Sequence, residues 1–326
     1  MLQRREVMKR IAAASMAGSS GAVLAQTGYP SKPINMVCGF AAGSATDVVA
    51  RVISIKLGQR LGQPALVQNV TGAASTIAAD AVVRSAPDGY TLMTVSSAIT
   101  IVPAVYKNLK FDVEKDLVAI ANIGFIPTVL MVTDSMPVRT LAEFVEYAKA
   151  HPDKLNYGSS GTGGSTHLAA ALLAQTLGLR MTHVPYRGNG PAGQALMAGE
   201  IQALVDTTVL AAQSVRTGRV RALAVTGNAR SPALPDVPTF AEAGVKNFDA
   251  SVMFGIMGPK KMPQAAVERI NREVAEVLND PAVQEQLGKT GGLQLAPMSQ
   301  EQYAKLISDE ISKWKKLATQ MDIRAE

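Results

Sequence analysis

From residue 34 onward, short apolar runs of strand length alternate with longer stretches of helical periodicity, and this constrains the fold more than any other feature. Ile34–Phe40 reads as a strand, and a loop over 41–46 leads to a helix from about Asp47 to Leu61. Ala65–Val70 and Tyr90–Val95 read as further strands, with a helix over 74–85 and a Pro87-Asp88-Gly89 turn between them. A long apolar run, Ile120–Thr133, carries Gly124 and Pro127. Thr140 and Glu143 form a capping box that opens a helix ending near His151-Pro152. Leu155–Gly158 is a short strand before the helix Thr166–Leu177. Two strand–helix units over 182–198 and 201–217 and a strand Val220–Thr226 follow. Residues 228–247 are irregular, with Pro232, Pro235 and Pro238. Val252–Met257 is a last strand, and two helices, Gln264–Asn279 and Ser299–Gln320, close the chain. The alternation predicts an α/β fold with largely parallel sheets.

The first 25 residues stand outside this pattern. Arg4, Arg5, Lys9 and Arg10 precede a small-residue, mildly apolar run, Ile11–Leu24, and Val23 and Ala25 occupy the −3 and −1 positions of a cut before Gln26. This is the order of a secretory signal, and the arginine pair resembles a twin-arginine leader. The expectation is export to the periplasm with cleavage near Ala25. Removing the leader from 326 residues leaves 301, enough for two domains. The formal net charge of +6 includes four basic residues and one acid of the leader, so the remainder carries +3. That balance, without a basic face interleaved with aromatics, excludes nucleic acid as the expected partner. The single cysteine, Cys38, lies in an apolar run and reads as a buried thiol.

Two loops stand out. Gly39 to Asp47 and Gly158 to Thr166 each follow a strand, open a helix and combine glycine with Ser or Thr. Glycine lets backbone approach a ligand. A helix start offers unpaired N–H donors at the positive end of the macrodipole, an anion site without a charged side chain. Two such loops facing each other across a cleft would hold a carboxylate. The bland alternative is two ordinary capped turns.

Enzymatic readings are weaker. The second loop has Gly164 where a P-loop needs lysine, and no G-x-S-x-G frame fits Ser159, Ser160 or Ser165. Gly188, Gly190 and Gly193 match G-x-G-x-x-G with Asp206 downstream, which leaves a nucleotide-dependent enzyme as an alternative. A hydrolase using Ser165 and His167 is another. His151, His167 and His183 show no metal-ligand spacing. No metal, no cofactor and no enzymatic activity are expected.

Further landmarks run in order along the chain: Tyr29-Pro30 with Lys32-Pro33-Ile34; Gly39 to Asp47 and Arg51; Gln68-Asn69 and Gly72-Ala73; Pro87 to Leu92; Tyr157-Gly158-Ser159; His167-Leu168; Val184-Pro185-Tyr186-Arg187-Gly188; and Leu234 to Thr239 with Glu242 and Gly244. Taken together, the ordered set resembles the substrate-binding proteins of tripartite tricarboxylate transporters, the Bug family, over about residues 29–320. The resemblance implies a two-lobed periplasmic-binding-protein fold of type II, with two sheets flanked by helices and two interlobe crossovers, near 124–127 and 249–252. Lobe I would comprise 26–125 and 251–326, and lobe II 126–250. It implies a monomeric receptor for a small carboxylate that serves membrane permease subunits, with a ligand sensor for a signalling protein as the other use. The candidate ligand-binding set is Phe40, Ala41, Ala42, Ser44, Ala45, Thr46, Asp47, Ser97, Gly161, Thr162, Gly163, Ser165, Thr166 and Asp206. Of these, Asp206 is expected to face the cleft and read an amino or hydroxyl group. The chain departs from the family pattern at Ala42-Gly43-Ser44, where a Pro-Gly-Gly run is usual, and at Gln68-Asn69-Val70-Thr71, where an acid and an arginine are usual.

Overall fold

A computed structural model describes residues 28–246, 248–290 and 292–325. The leader, 1–25, lies outside the described residues.

Two sheets carry the fold. Strands β1 (Ile34–Cys38), β2 (Ala65–Asn69), β3 (Thr91–Ser96), β4 (Leu117–Ile126), β10 (Val252–Pro259) and β11 (Gln294–Leu295) form the first, in the order β11-β4-β10-β3-β1-β2. Strands β5 (Thr128–Thr133), β6 (Asn156–Ser159), β7 (Thr182–Pro185), β8 (Ala203–Thr207) and β9 (Val220–Val225) form the second, in the order β7-β6-β8-β5-β9. The sheets are mixed, which corrects the expectation of largely parallel ones. The β1–β2, β1–β3, β6–β7 and β6–β8 pairs are parallel; every pair made by β4, β5 or β10 is antiparallel. The physical reason is connectivity. β5 and β10 enter their sheets from the other lobe rather than through a crossover helix on the same sheet, so they run against their neighbours.

The apolar run 120–133 is thus two strands in two sheets, split at Pro127, which cannot donate to a ladder. The return crossover spans 226–251. The two passages lie side by side: Thr128 N donates to Thr226 Oγ1 (2.8 Å), Thr226 N donates to Thr128 O (2.8 Å), and Thr226 Oγ1 is 2.9 Å from Ser251 Oγ. Thr128 and Thr226 are both buried, so these bonds replace the water the hydroxyls lose.

Local signals place the helices α1 (Ala45–Leu61), α2 (Thr76–Val83), α3 (Ala98–Val105), α4 (Val113–Asp116), α5 (Leu141–Ala150), α6 (Ser165–Leu177), α7 (Asn189–Ala198), α8 (Thr208–Val215), α9 (Gln264–Leu278), α10 (Pro281–Val283) and α11 (Gln300–Gln320). Both expected capping boxes form. Glu143 N donates to Thr140 Oγ1 and Thr140 N to Glu143 Oε2, both at 3.2 Å; Gln302 N donates to Ser299 Oγ (3.2 Å) and Ser299 N to Gln302 Oε1 (3.0 Å). α1 and α6 stop at Gly62 and Gly178, whose φ of 72° and 64° suit glycine. α2 starts later than the sequence pattern predicts, because Ala73, Ala74 and Ser75 adopt left-handed φ values of 44°, 50° and 72°. Gly39 makes this possible: a Cβ there would lie 2.3 Å from Ser75 Cβ. α3 has no counterpart in the sequence reading, since Ala98–Val105 is strand-like in composition and holds Pro103.

α11 spans both lobes. Tyr303, Ile307 and Ile311 pack in an apolar cluster with Val37, Met93 and Ala119 of the first sheet, whereas Trp314, Leu317 and Ala318 pack with Leu130, Val205 and Leu223 of the second. Tyr303 is fully buried against Gly255, and its hydroxyl has no partner among the described residues. Burial pushes the Tyr303 phenol far above its ordinary pKa. Tyr303→Phe removes a desolvated hydroxyl without opening a cavity, so the unfolding free energy in urea is expected to rise by about 1 kcal/mol. A loss of that size would show that the hydroxyl has a partner.

Candidate functional site

The first loop is held from behind. Ser44 caps α1, with Asp47 N donating to Ser44 Oγ at 3.2 Å. The Asp47 carboxylate is buried and accepts from Arg51 Nε (2.9 Å), Asn69 Nδ2 (2.7 Å) and Gly43 N (2.9 Å). The Arg51 hydrogen bond, helped by Asn69 and Gly43, lowers its pKa to about 2. Asn69 Nδ2 also donates to Phe40 O at 2.9 Å. Asp47 therefore stays charged to shape the loop, and the first-turn N–H groups of Ala45 and Thr46 remain available as donors.

The second loop is built on the same plan with different chemistry. Gly161 and Gly163 take φ of 137° and 74°. Ser160 N donates to Thr166 Oγ1 (2.9 Å), and Gly163 N donates to His167 Nδ1 (3.1 Å). Accepting that bond puts the His167 proton on Nε2. The His167 ring stacks on His183 with centroids 3.6 Å apart, and His183 Nε2 is 2.6 Å from Ser159 Oγ. Burial holds both imidazoles down at about 4; for His167 the His183 ring adds to the effect. The pair is a neutral support beneath the loop.

Between the lobes lies a cavity of about 760 Å³. Five helices present their N-terminal ends to it: α1 through Ser44, Ala45 and Thr46; α3 through Ser97 and Ala98; α6 through Gly164 and Ser165; α7 through Asn189; and α8 through Thr207, Val209 and Leu210. No charged side chain lines it among the described residues. An anion entering it meets convergent N–H groups, Ser and Thr hydroxyls and the Asn189 amide.

Of the residues singled out from sequence, Phe40, Ser44, Ala45, Thr46, Ser97 and Ser165 stand on the cavity wall. Ala41, Ala42, Asp47, Gly161, Thr162, Gly163, Thr166 and Asp206 do not. Asp47 and Thr166 are turned inward by the loop bonds just described, Gly163 packs toward Val105 and Ala325, and Thr162 is exposed. Asp206 sits behind the wall. It is buried, and its Oδ1 accepts from Asn189 Nδ2 and Thr207 N, both at 2.7 Å. Burial outweighs these bonds and raises its pKa to about 6. A buried carboxylate takes the nearest donors, and here they belong to the protein. Asp206 thus orients Asn189, which does face the cavity.

Sequence reasoning missed Ser160 and Asn189 on the polar side, and Ile126, Val209, Leu210, Val252, Phe254, Leu287 and Leu293 on the apolar side. The G-x-G-x-x-G stretch pointed near Asn189 for another reason. Gly190 and Gly193 lie inside α7 and do not form a phosphate-cradling loop; of the three, only Gly188 has positive φ. Ser165 and His167 do not pair: the partner of His167 Nδ1 is backbone, which leaves no base for a nucleophile at that atom. Among the described residues no group of His, Cys, Asp and Glu is arranged to hold a metal ion.

The model of the tripartite tricarboxylate transporter family receptor matches residues 49–323. BugT of Bordetella pertussis (strain Tohama I) is 34% identical over 300 residues, covering 91% of each chain. An R. palustris protein solved with adipate superposes with a TM-score of 0.76 at 30% identity, over 91% of this chain and 99% of that one. MatC from Rhodopseudomonas palustris with bound malate gives a TM-score of 0.72 at 32% identity, over 89% and 99%.

Proposed function

Because the chain belongs to the tripartite tricarboxylate transporter receptor family, we propose that it captures a small carboxylate between its lobes in the periplasm and delivers it to the permease subunits of a tripartite transporter. It is a binding protein and not an enzyme, as the family is. The observation that carries the carboxylate reading is the convergence of five helix N-termini on one cavity without a charged side chain. Fixed N–H dipoles favour an anion and need no counter-charge to be desolvated. Carboxylate-bound relatives, one with adipate and one with malate, support the same reading.

In the proposed scheme the chain is exported with cleavage after Ala25 and acts as a monomer. Lobe I is 26–125 with 251–326, the last turns of α11 reaching across to pack on lobe II, and lobe II is 126–250, with the Thr128–Thr226–Ser251 cluster at the hinge. The ligand favours the closed state by its greater affinity for it.

The test is thermal unfolding across carboxylic acids and their amides. An acid at 100 times its Kd stabilises by about 2.7 kcal/mol, while the matching amide does not. Ala45→Trp places an indole at an exposed first-turn position of the wall. It is expected to weaken binding at least 100-fold and leave the ligand-free midpoint within about 2 °C. Stabilisation by no acid, or equal stabilisation by acid and amide, counts against the reading.

A further inference from the structure

The wall that is not polar is informative about the ligand's body. Val49, Ile126, Phe254, Leu287 and Leu293 line the cavity and belong to one contiguous apolar cluster, with Val209 and Val252 packed against it. Val48 and Leu210, also on the wall, are large apolar side chains left 43% and 45% exposed. Both side chains line the cavity rather than the core.

The segment that supplies Leu287 and Leu293 is unusual. Gln284–Thr290 is π-helical, a rare geometry that recurs at functional sites. Leu293 N donates to Leu287 O at 2.9 Å, which ties the two side chains into one patch. Gly292, with φ of 67°, brings this patch against the other lobe: a Cβ there would lie 2.7 Å from Val209 Cγ2. The segment therefore closes the cavity with hydrocarbon and offers no side-chain donor at Leu287 or Leu293 for a second carboxylate or a hydroxyl.

We infer that the ligand is an acid with an apolar body, an aromatic or medium-chain monocarboxylate, held in preference to hydroxylated di- and tricarboxylates, and that Leu287, Leu293 and Leu210 set this preference. This deepens, and rests on, the carboxylate-receptor reading. Apolar surface removed from water stabilises the complex in proportion to its area. A polar body would lose hydration against these side chains without regaining hydrogen bonds.

Titration calorimetry of the protein with propionate, butyrate, pentanoate and hexanoate, and with benzoate, malate and citrate, tests the inference. Each added methylene is expected to tighten binding about fourfold. Benzoate and hexanoate are expected to bind at least tenfold more tightly than malate or citrate. Leu210→Asn changes a half-exposed position and leaves the core intact; it is expected to weaken hexanoate about tenfold and propionate less than twofold. Malate or citrate binding as tightly as hexanoate, a flat chain-length series, or a uniform loss across the series in Leu210→Asn would overturn the inference and leave the carboxylate receptor standing. Binding of none of these acids would overturn both.

Discussion

Trp314→Ala is expected to lower the unfolding free energy by about 3–5 kcal/mol, the largest single loss predicted for this chain. Trp314 is the only tryptophan, is 3% exposed, and lies where three groups of residues meet. Its apolar cluster draws Ile101 and Val105 from α3, Leu130 and Val205 from the second sheet, and Leu168 and Leu173 from α6. Its Nε1 donates to Glu310 Oε2 at 2.9 Å, so truncation also strips a partner from a half-buried carboxylate. Lys313, 4.3 Å above the ring, holds Glu310 in place. Trp314→Phe retains most of the buried area and is expected to cost no more than about half as much. Denaturation followed by circular dichroism measures both, since fluorescence is lost with the residue. A cost below about 1 kcal/mol for Trp314→Ala would mean that the last turns of α11 are not part of the second lobe's core.

The second large effect is a dependence on acid. His167 is expected to contribute about 3 kcal/mol that is fully present above its unfolded pKa of about 6.5 and lost as the pH falls to about 4. The sign follows from proton uptake. Burial lowers the folded pKa, so the unfolded chain binds the proton first, and protonation between these values favours unfolding. His183, held down at about 4 against the same ring, acts in the same sense as His167. Asp206 acts in the opposite sense, because a raised carboxyl pKa makes the folded state take up its proton first between about 4 and 6. The total in the intact protein mixes all three, so the measurement is a difference. Asn places an amide oxygen near the position of Nδ1 and keeps an acceptor for Gly163 N. Between pH 7 and pH 4, the difference in unfolding free energy between the protein and its His167→Asn variant is expected to shrink by about 3 kcal/mol. A difference independent of pH would show that the ring is not buried neutral beneath the loop. The Gly161–Thr166 loop rests on this ring, so ligand affinity is expected to fall over the same range.

The parts of this protein that were legible in its sequence are those whose physics is local. Capping boxes at Thr140 and Ser299 involve four residues each, and both form. The ends of α1 and α6 fall where expected, at Leu61 and Leu177 before Gly62 and Gly178, whereas α1 starts at Ala45, two residues ahead of the expected Asp47, because Ser44 caps it. The two Gly/Ser/Thr loops do open helices at the cavity. The ordered landmarks along the chain identified the two-lobed fold with two crossovers. Even there, the direction of a side chain was not legible. Asp47, Thr166 and Asp206 are polar residues beside the site, yet each bonds to the protein behind it.

Tertiary structure alone decided which way β5 and β10 run against their neighbours, because that depends on which lobe a strand enters from. It also decided the apolar half of the cavity. Leu287 and Leu293 lie more than 75 residues after Val209 and Leu210, and no local pattern around any of them marks an apolar wall; the neighbouring Asp206 suggested a polar one. They meet because a π-helical turn and a left-handed glycine fold one lobe's edge onto the other. Helix starts are set by hydrogen bonds spanning four residues, so the chain displays its anion donors in plain order. A hydrophobic wall is set by which distant surfaces lose water together, and only the closed fold determines that.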